Sequence, residues 1–67
     1  MKLNDIQKDI IALVVKGKSN KEIADELGYS VENVKKNLRI CFKYFKVKDR
    51  VGLVREYLLM AYYDINS

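Results

Sequence analysis

Lys35, Lys36 and Arg39 are the side chains in this sequence best suited to chemistry with a partner, and that chemistry is the recognition of negative charge. At about 100° per residue they share one side of a helix, and Lys43 extends the same stripe. Val34, Leu38, Cys41, Phe42 and Phe45 make one continuous apolar face, and the cationic stripe lies beside and opposite it. A helix built this way anchors itself by one face and holds its cations outward on the other. Residues 35 to 50 contain seven Lys or Arg against Asp49 alone, a net of +6. The stretches on either side are each at −1, so this segment holds the whole excess of a chain whose formal charge is +4.

The same inventory excludes most catalysis. The chain has no histidine and one cysteine, Cys41. Histidine acid–base chemistry, an internal disulfide and a Cys/His zinc site are therefore all impossible within it. Cys41, Phe42 and Phe45 read as core. Glu22, Asp25, Glu26 and Glu32 are accounted for by helix caps and surface solubility rather than by paired-carboxylate hydrolysis or metal binding. No glycine-rich phosphate loop is present. The expectation is a protein with no enzymatic activity, no cofactor and no metal.

Four helices must position these residues, within one domain over residues 1–67. Asn4 and Gln7 form a capping box for the first, whose apolar residues are Ile6, Ile10, Leu13 and Val14 and which Gly17 ends. Ser19 and Glu22 form a second box, opening a short helix with Ile23, Ala24 and Leu27 that Gly28 stops. Ser30 caps the third, over about 31–45. The fourth starts at Asp49 and runs to about Tyr62 or Tyr63. Gly28 lets the chain turn with positive φ, small Ala24 lets the third helix cross closely, and Val34 is buried at the crossing. That is a helix-turn-helix. At 67 residues the core is thin, and no apolar run is long enough for a membrane span; the cytoplasm is the expected compartment.

The stretch "GKSNKEIADELGYSVENVKKNLR", residues 17 to 39, resembles the helix-turn-helix of LuxR-type transcription regulators, the GerE-like or NarL/FixJ DNA-binding domain. "LNDIQKDIIALVVKG" is similar to the family's opening segment and first helix, and "FKVKDRVGLV" to the stretch before its last helix. The sequence departs from the pattern at Ile6 and Gln7, where Arg-Glu is usual, at Asn33, where Thr is usual, and at Asn37, where His is common. The resemblance implies an all-α, four-helix bundle that binds double-stranded DNA, with the third helix in the major groove as recognition helix. It places Lys35, Lys36 and Arg39 at the bases, the same residues the helical wheel turns outward. Lys21, Asn33, Lys43, Lys46 and Arg50 fall to backbone phosphates, with Ser19 and Ser30 offering first-turn N–H groups.

The last helix carries more apolar surface than one core takes up. On its wheel Val54, Tyr57, Leu58, Ala61 and Ile65 cluster on the side expected to pack inward, leaving Leu53, Leu59, Met60 and Tyr63 on other sides. In the resembled family this helix commonly makes a two-fold contact, so a homodimer through Leu59, Met60, Tyr62 and Tyr63 is expected. Ile40 and Tyr44 offer a further contact, to RNA polymerase or another regulator, or else cover a neighbouring helix. Two other readings remain open at this point: a helical protein-interaction module of antiactivator type using the last helix, and a domain like region four of a sigma factor.

Overall fold

The computed structural model describes residues 2–66, and all four expected helices are present in it, with no strand among the described residues. Helix α1 spans Asp5–Val15, α2 Asn20–Leu27, α3 Val31–Phe45 and α4 Arg50–Asn66. Each begins where a side chain satisfies backbone donors that have no partner within the helix. Asn4 accepts the Gln7 N–H and Gln7 returns the bond to Asn4; Ser19 and Glu22 do the same. Ser30 accepts from the Asn33 N–H at 3.0 Å. The Asp49 carboxylate accepts from Gly52 N–H at 2.9 Å, and its carbonyl accepts from Leu53 N–H at 3.0 Å.

The first three helices end alike, on a residue with left-handed backbone. Gly17 has φ +85°, Gly28 φ +74° and Lys46 φ +57°. In each case the next N–H reaches back five residues: Lys18 to Leu13 O, Tyr29 to Ala24 O and Val47 to Phe42 O, all at 2.9–3.0 Å. Such bonds satisfy the last carbonyls of the helix while reversing the chain.

The core is shared by all four helices. Ile10, Ile11, Ile23, Val34, Cys41 and Leu53 have no exposed surface, and Ala24 and Leu38 are buried beside them. Ala24, Val34, Ile23 and Leu38 thus lie where the helix-turn-helix reading put them. Each fully buried aliphatic side chain contributes about 1.5–3 kcal/mol. Helix α1 differs from expectation: Ile6 is exposed, while Ile11 and the polar Gln7 are inside. Gln7 is tolerated there because both ends of its carboxamide are bonded.

Helix α4 overturns the wheel drawn for it. Leu53, expected on another side, is fully buried, whereas Leu58 is 50% and Ile65 83% exposed. The orientation is set at the helix's first turn. Gly52 is buried there, and a Cβ on it would lie 3.0 Å from Val47 Cβ, so the α3–α4 loop lies against the helix itself. That contact turns Leu53, with Val54 and Tyr57, to the bundle. The helix also runs on to Asn66, beyond the expected end at Tyr62 or Tyr63.

Candidate nucleic-acid interface

Lys35, Lys36, Arg39 and Lys43 are all exposed, and the face of α3 opposite them is held by Val34, Leu38 and Cys41. From Lys35 to Lys43 the stripe covers about 12 Å at 1.5 Å per residue. Lys35 has Glu32 Oε1 at 3.7 Å from its Nζ, but both side chains are well exposed, so this pair competes weakly with a stronger anion. No ion pair among the described residues engages Lys36, Arg39, Lys43 or Lys46. Lys35, Arg39, Lys48 and Arg50 border a shallow groove of about 380 Å³ with Leu38 and Phe42 beneath.

The residues expected at phosphates divide into two sets. Lys21, Asn33, Lys43 and Lys46 are exposed. Lys46 sits at the left-handed end of α3, a position set by its backbone rather than its charge. Arg50 instead ties the bundle together: its guanidinium donates to Asn20 Oδ1 at 2.6 Å and to the Lys18 carbonyl at 2.5 Å. These bonds fix the start of α4 to the α1–α2 turn. Nothing in the sequence paired Arg50 with Asn20, because the contact spans thirty positions.

The two serines are also unlike. At α2 the Ser19 N–H is taken by Glu22 Oε1 at 2.9 Å, and that bond is the main cause that holds the Glu22 carboxyl below its usual pKa. Its charged form is thus already committed at the start of α2. At α3 the residue three after Ser30 is Asn33, which does not return the bond, so Ser30 keeps its N–H clear of a side-chain partner.

Asn33 and Asn37 are drawn into one chain of hydrogen bonds with Gln7. Gln7 Nε2 donates to Asn37 Oδ1 at 3.3 Å, and Asn37 Nδ2 donates to Asn33 Oδ1 at 2.8 Å and to the Asn33 carbonyl at 2.9 Å. The four-residue spacing of Asn33 and Asn37 sets them side by side on one helix, but nothing in the sequence joins Gln7 to them.

At the other side of the bundle, Tyr44 and Met60 line a hollow of about 310 Å³ with Leu3, Ile11 and Tyr57. Both keep exposed surface, Tyr44 at 38% and Met60, expected at a dimer contact, at 39%. Leu59, Tyr62 and Tyr63 remain exposed, the two tyrosine rings meeting edge to face at 5.7 Å. The described residues contain no group of His, Cys, Asp and Glu placed to hold a metal, and no helix long and apolar enough to cross a membrane.

Comparison with known protein families finds a match over residues 1–57 to the family described as "Bacterial regulatory proteins, luxR family". Comparison with curated proteins and with solved structures found no match. The matched region takes in α1, the helix-turn-helix and the buried first half of α4, so every element that shapes the cationic face falls inside it. With four helices in place and that face turned outward, the chain belongs to the luxR family of bacterial regulatory proteins, a family of DNA-binding transcription regulators.

Proposed function

We propose that this domain binds double-stranded DNA by laying α3 in the major groove, with Lys35, Lys36 and Arg39 at the base edges. The single observation that carries the reading is the outward, unburied placement of these cations on a helix whose other face is locked into the core. Arg39 can form a bidentate pair with guanine N7 and O6, and such a pair discriminates by about 1–3 kcal/mol. Lys21, Asn33, Lys43, Lys46 and the start of α3 at Ser30 serve the flanking phosphates. Arg50 and Ser19 support the fold around the site.

The domain acts as a homodimer through the outward stripe of α4. Val51, Leu58 and Ile65 recur at seven-residue intervals and are 75%, 50% and 83% exposed; Tyr62 lies beside them, and Leu59, Met60 and Tyr63 are exposed further round the helix. An apolar stripe of this length marks a contact surface. Two copies related by a two-fold axis would read half-sites about one helical turn apart.

Titration of binding to duplex DNA against salt tests this. Each phosphate neutralised contributes a slope of about −0.9 in log K against log salt, so a steep negative slope is expected. Arg39→Ala should weaken cognate binding by about 1–3 kcal/mol and leave binding to random duplex nearly unchanged. Absence of any salt-dependent binding would reject DNA as the partner and favour an interaction module working through α4.

A further inference from the structure

Gln7, Asn33 and Asn37, three of the positions at which this sequence departs from the resembled pattern, meet in the fold and fix one another's direction. The Gln7 carboxamide is buried, with 5% exposure. Its Oε1 accepts the Asn4 N–H at 3.0 Å. A backbone N–H can only donate, so the oxygen must face Asn4 and Nε2 must face Asn37. At its other end Asn37 is oriented in the same sense, because its Nδ2 also meets the Asn33 carbonyl, which can only accept. The same Nδ2 takes Asn33 Oδ1 as a second acceptor. Asn33 therefore spends its oxygen inward. Its Nδ2, carrying two N–H groups and no lone pair to offer, is left on the exposed side at the first turn of α3, three residues before Lys36.

We propose that Gln7 is a positioning residue for DNA contact: through Asn37 it sets the polarity of Asn33, so that the recognition helix presents only donors at that point. A donor-only group suits a phosphate oxygen, which only accepts, and rejects a base amine. The inference rests on the DNA-binding reading above and assigns a role to a residue that is itself buried and cannot touch the duplex.

Gln7→Glu tests it, because the carboxylate keeps the size and the bond from Asn4 while replacing the donor to Asn37 by an acceptor. A charge-assisted bond to the carboxylate outweighs the neutral bond to the Asn33 carbonyl, so Asn37 turns its Nδ2 toward the carboxylate and Asn33 turns its oxygen outward against the phosphate. On a mixed-sequence DNA duplex, Gln7→Glu and Asn33→Ala should each weaken binding by about 3- to 10-fold, the range of one lost hydrogen bond. Once Asn33→Ala is present, adding Gln7→Glu should cost nothing more. Equal loss in both backgrounds, as added negative charge or a loosened fold would give, overturns the proposal. Side-chain amide exchange measured by NMR on the free wild-type protein tests the polarity without any variant. Fast exchange at Asn33 Nδ2 with slow exchange at Gln7 and Asn37 is expected, and slow exchange at Asn33 overturns the assignment. A wild-type protein that binds no duplex would remove the DNA reading and this role with it, while the exchange pattern would still report on the amide chain itself.

Discussion

The helix-turn-helix of α2 and α3 has 11 apolar residues among its 23 helical positions and the long helix α4 has 11 among 17, and the two regions use them differently. In α2 and α3 each apolar residue at the crossing has a place: Ile23, Ala24, Val34, Leu38 and Cys41 are buried together, and a capping side chain or left-handed residue closes every end. In α4 apolar residues surround the helix. Leu53 alone among its large side chains is fully buried, and Val51, Leu58, Tyr62 and Ile65 are turned to solvent. The first region is finished within one chain. The second is finished only where it touches the bundle, and its outer stripe is available to a second molecule.

The same truncation made in both regions should expose this difference most strongly. Ile23→Ala removes a fully buried side chain at the crossing, where the cost is about 2–5 kcal/mol. That is a large part of the stability a domain of this size has, so the variant should be largely unfolded in a urea titration. Leu58→Ala, made on a half-exposed side chain, should change stability by less than about 0.5 kcal/mol at low concentration. As protein concentration rises its cost should grow, because association stabilises the folded form. Equal losses at low concentration would mean that the two regions are packed alike.

Cys41 gives the second largest effect, and it depends on pH. Burial pushes its thiol up to about 11 from an ordinary value of 9.0. The folded form keeps the proton over a range in which the unfolded chain loses it. Its contribution is therefore complete below pH 9 and is lost as pH rises toward 11. A shift of that size corresponds to up to about 3 kcal/mol. Unfolding curves from pH 8 to 11 should fall more steeply for the wild-type protein than for Cys41→Ala. Parallel curves would show that the thiol is not sealed beneath α3.

Much of the helix-turn-helix is legible in the sequence because each signal there is local. Ser19 with Glu22, Gly28 and Ser30 mark ends by residue type, and the three cations fall opposite an apolar face on a single helix. The orientation of α4 was not legible, because a wheel weighs only how many apolar residues share a side. Here the count favoured Leu58 and Ile65, while the decisive contact was Val47 against Gly52, made by a loop. The Arg50–Asn20 and Gln7–Asn37 bonds were hidden for the same reason. Their partners lie some thirty positions apart in sequence, and no local pattern joins them.

Gly52 is where that loop contact can be broken by one methyl group. Alanine would favour the helix by about 0.5–1 kcal/mol in open surroundings. At this position its Cβ would meet Val47 Cβ at 3.0 Å and Cγ1 at 3.2 Å. Val47 Cβ is attached directly to the loop backbone and has little freedom to retreat. Overpacking of this kind costs about 1–3 kcal/mol, so Gly52→Ala should destabilise by about 1 kcal/mol net and loosen the start of α4. Increased stability in thermal unfolding would show that the loop gives way, and that something else turns Leu53 inward.

The smallest effect belongs to Lys46, and it separates fold from function at one position. Gly17 and Gly28 take up left-handed backbone without a Cβ, whereas Lys46 does so with one, at φ +57° and ψ +44°. That conformation costs an ordinary residue about 1–2 kcal/mol, partly offset because glycine loses more entropy on folding, by about 0.5–1 kcal/mol. Lys46→Gly should therefore raise stability by about 0.5 kcal/mol. If the ammonium group lies against a phosphate, the same variant should bind DNA less tightly, and its log K against log salt should be shallower by about 0.9. The two readouts then move in opposite directions. A variant more stable and equally salt-dependent would make Lys46 a strained helix end that happens to be charged, and would confine the phosphate contacts to Lys21, Asn33, Lys43 and the start of α3 at Ser30.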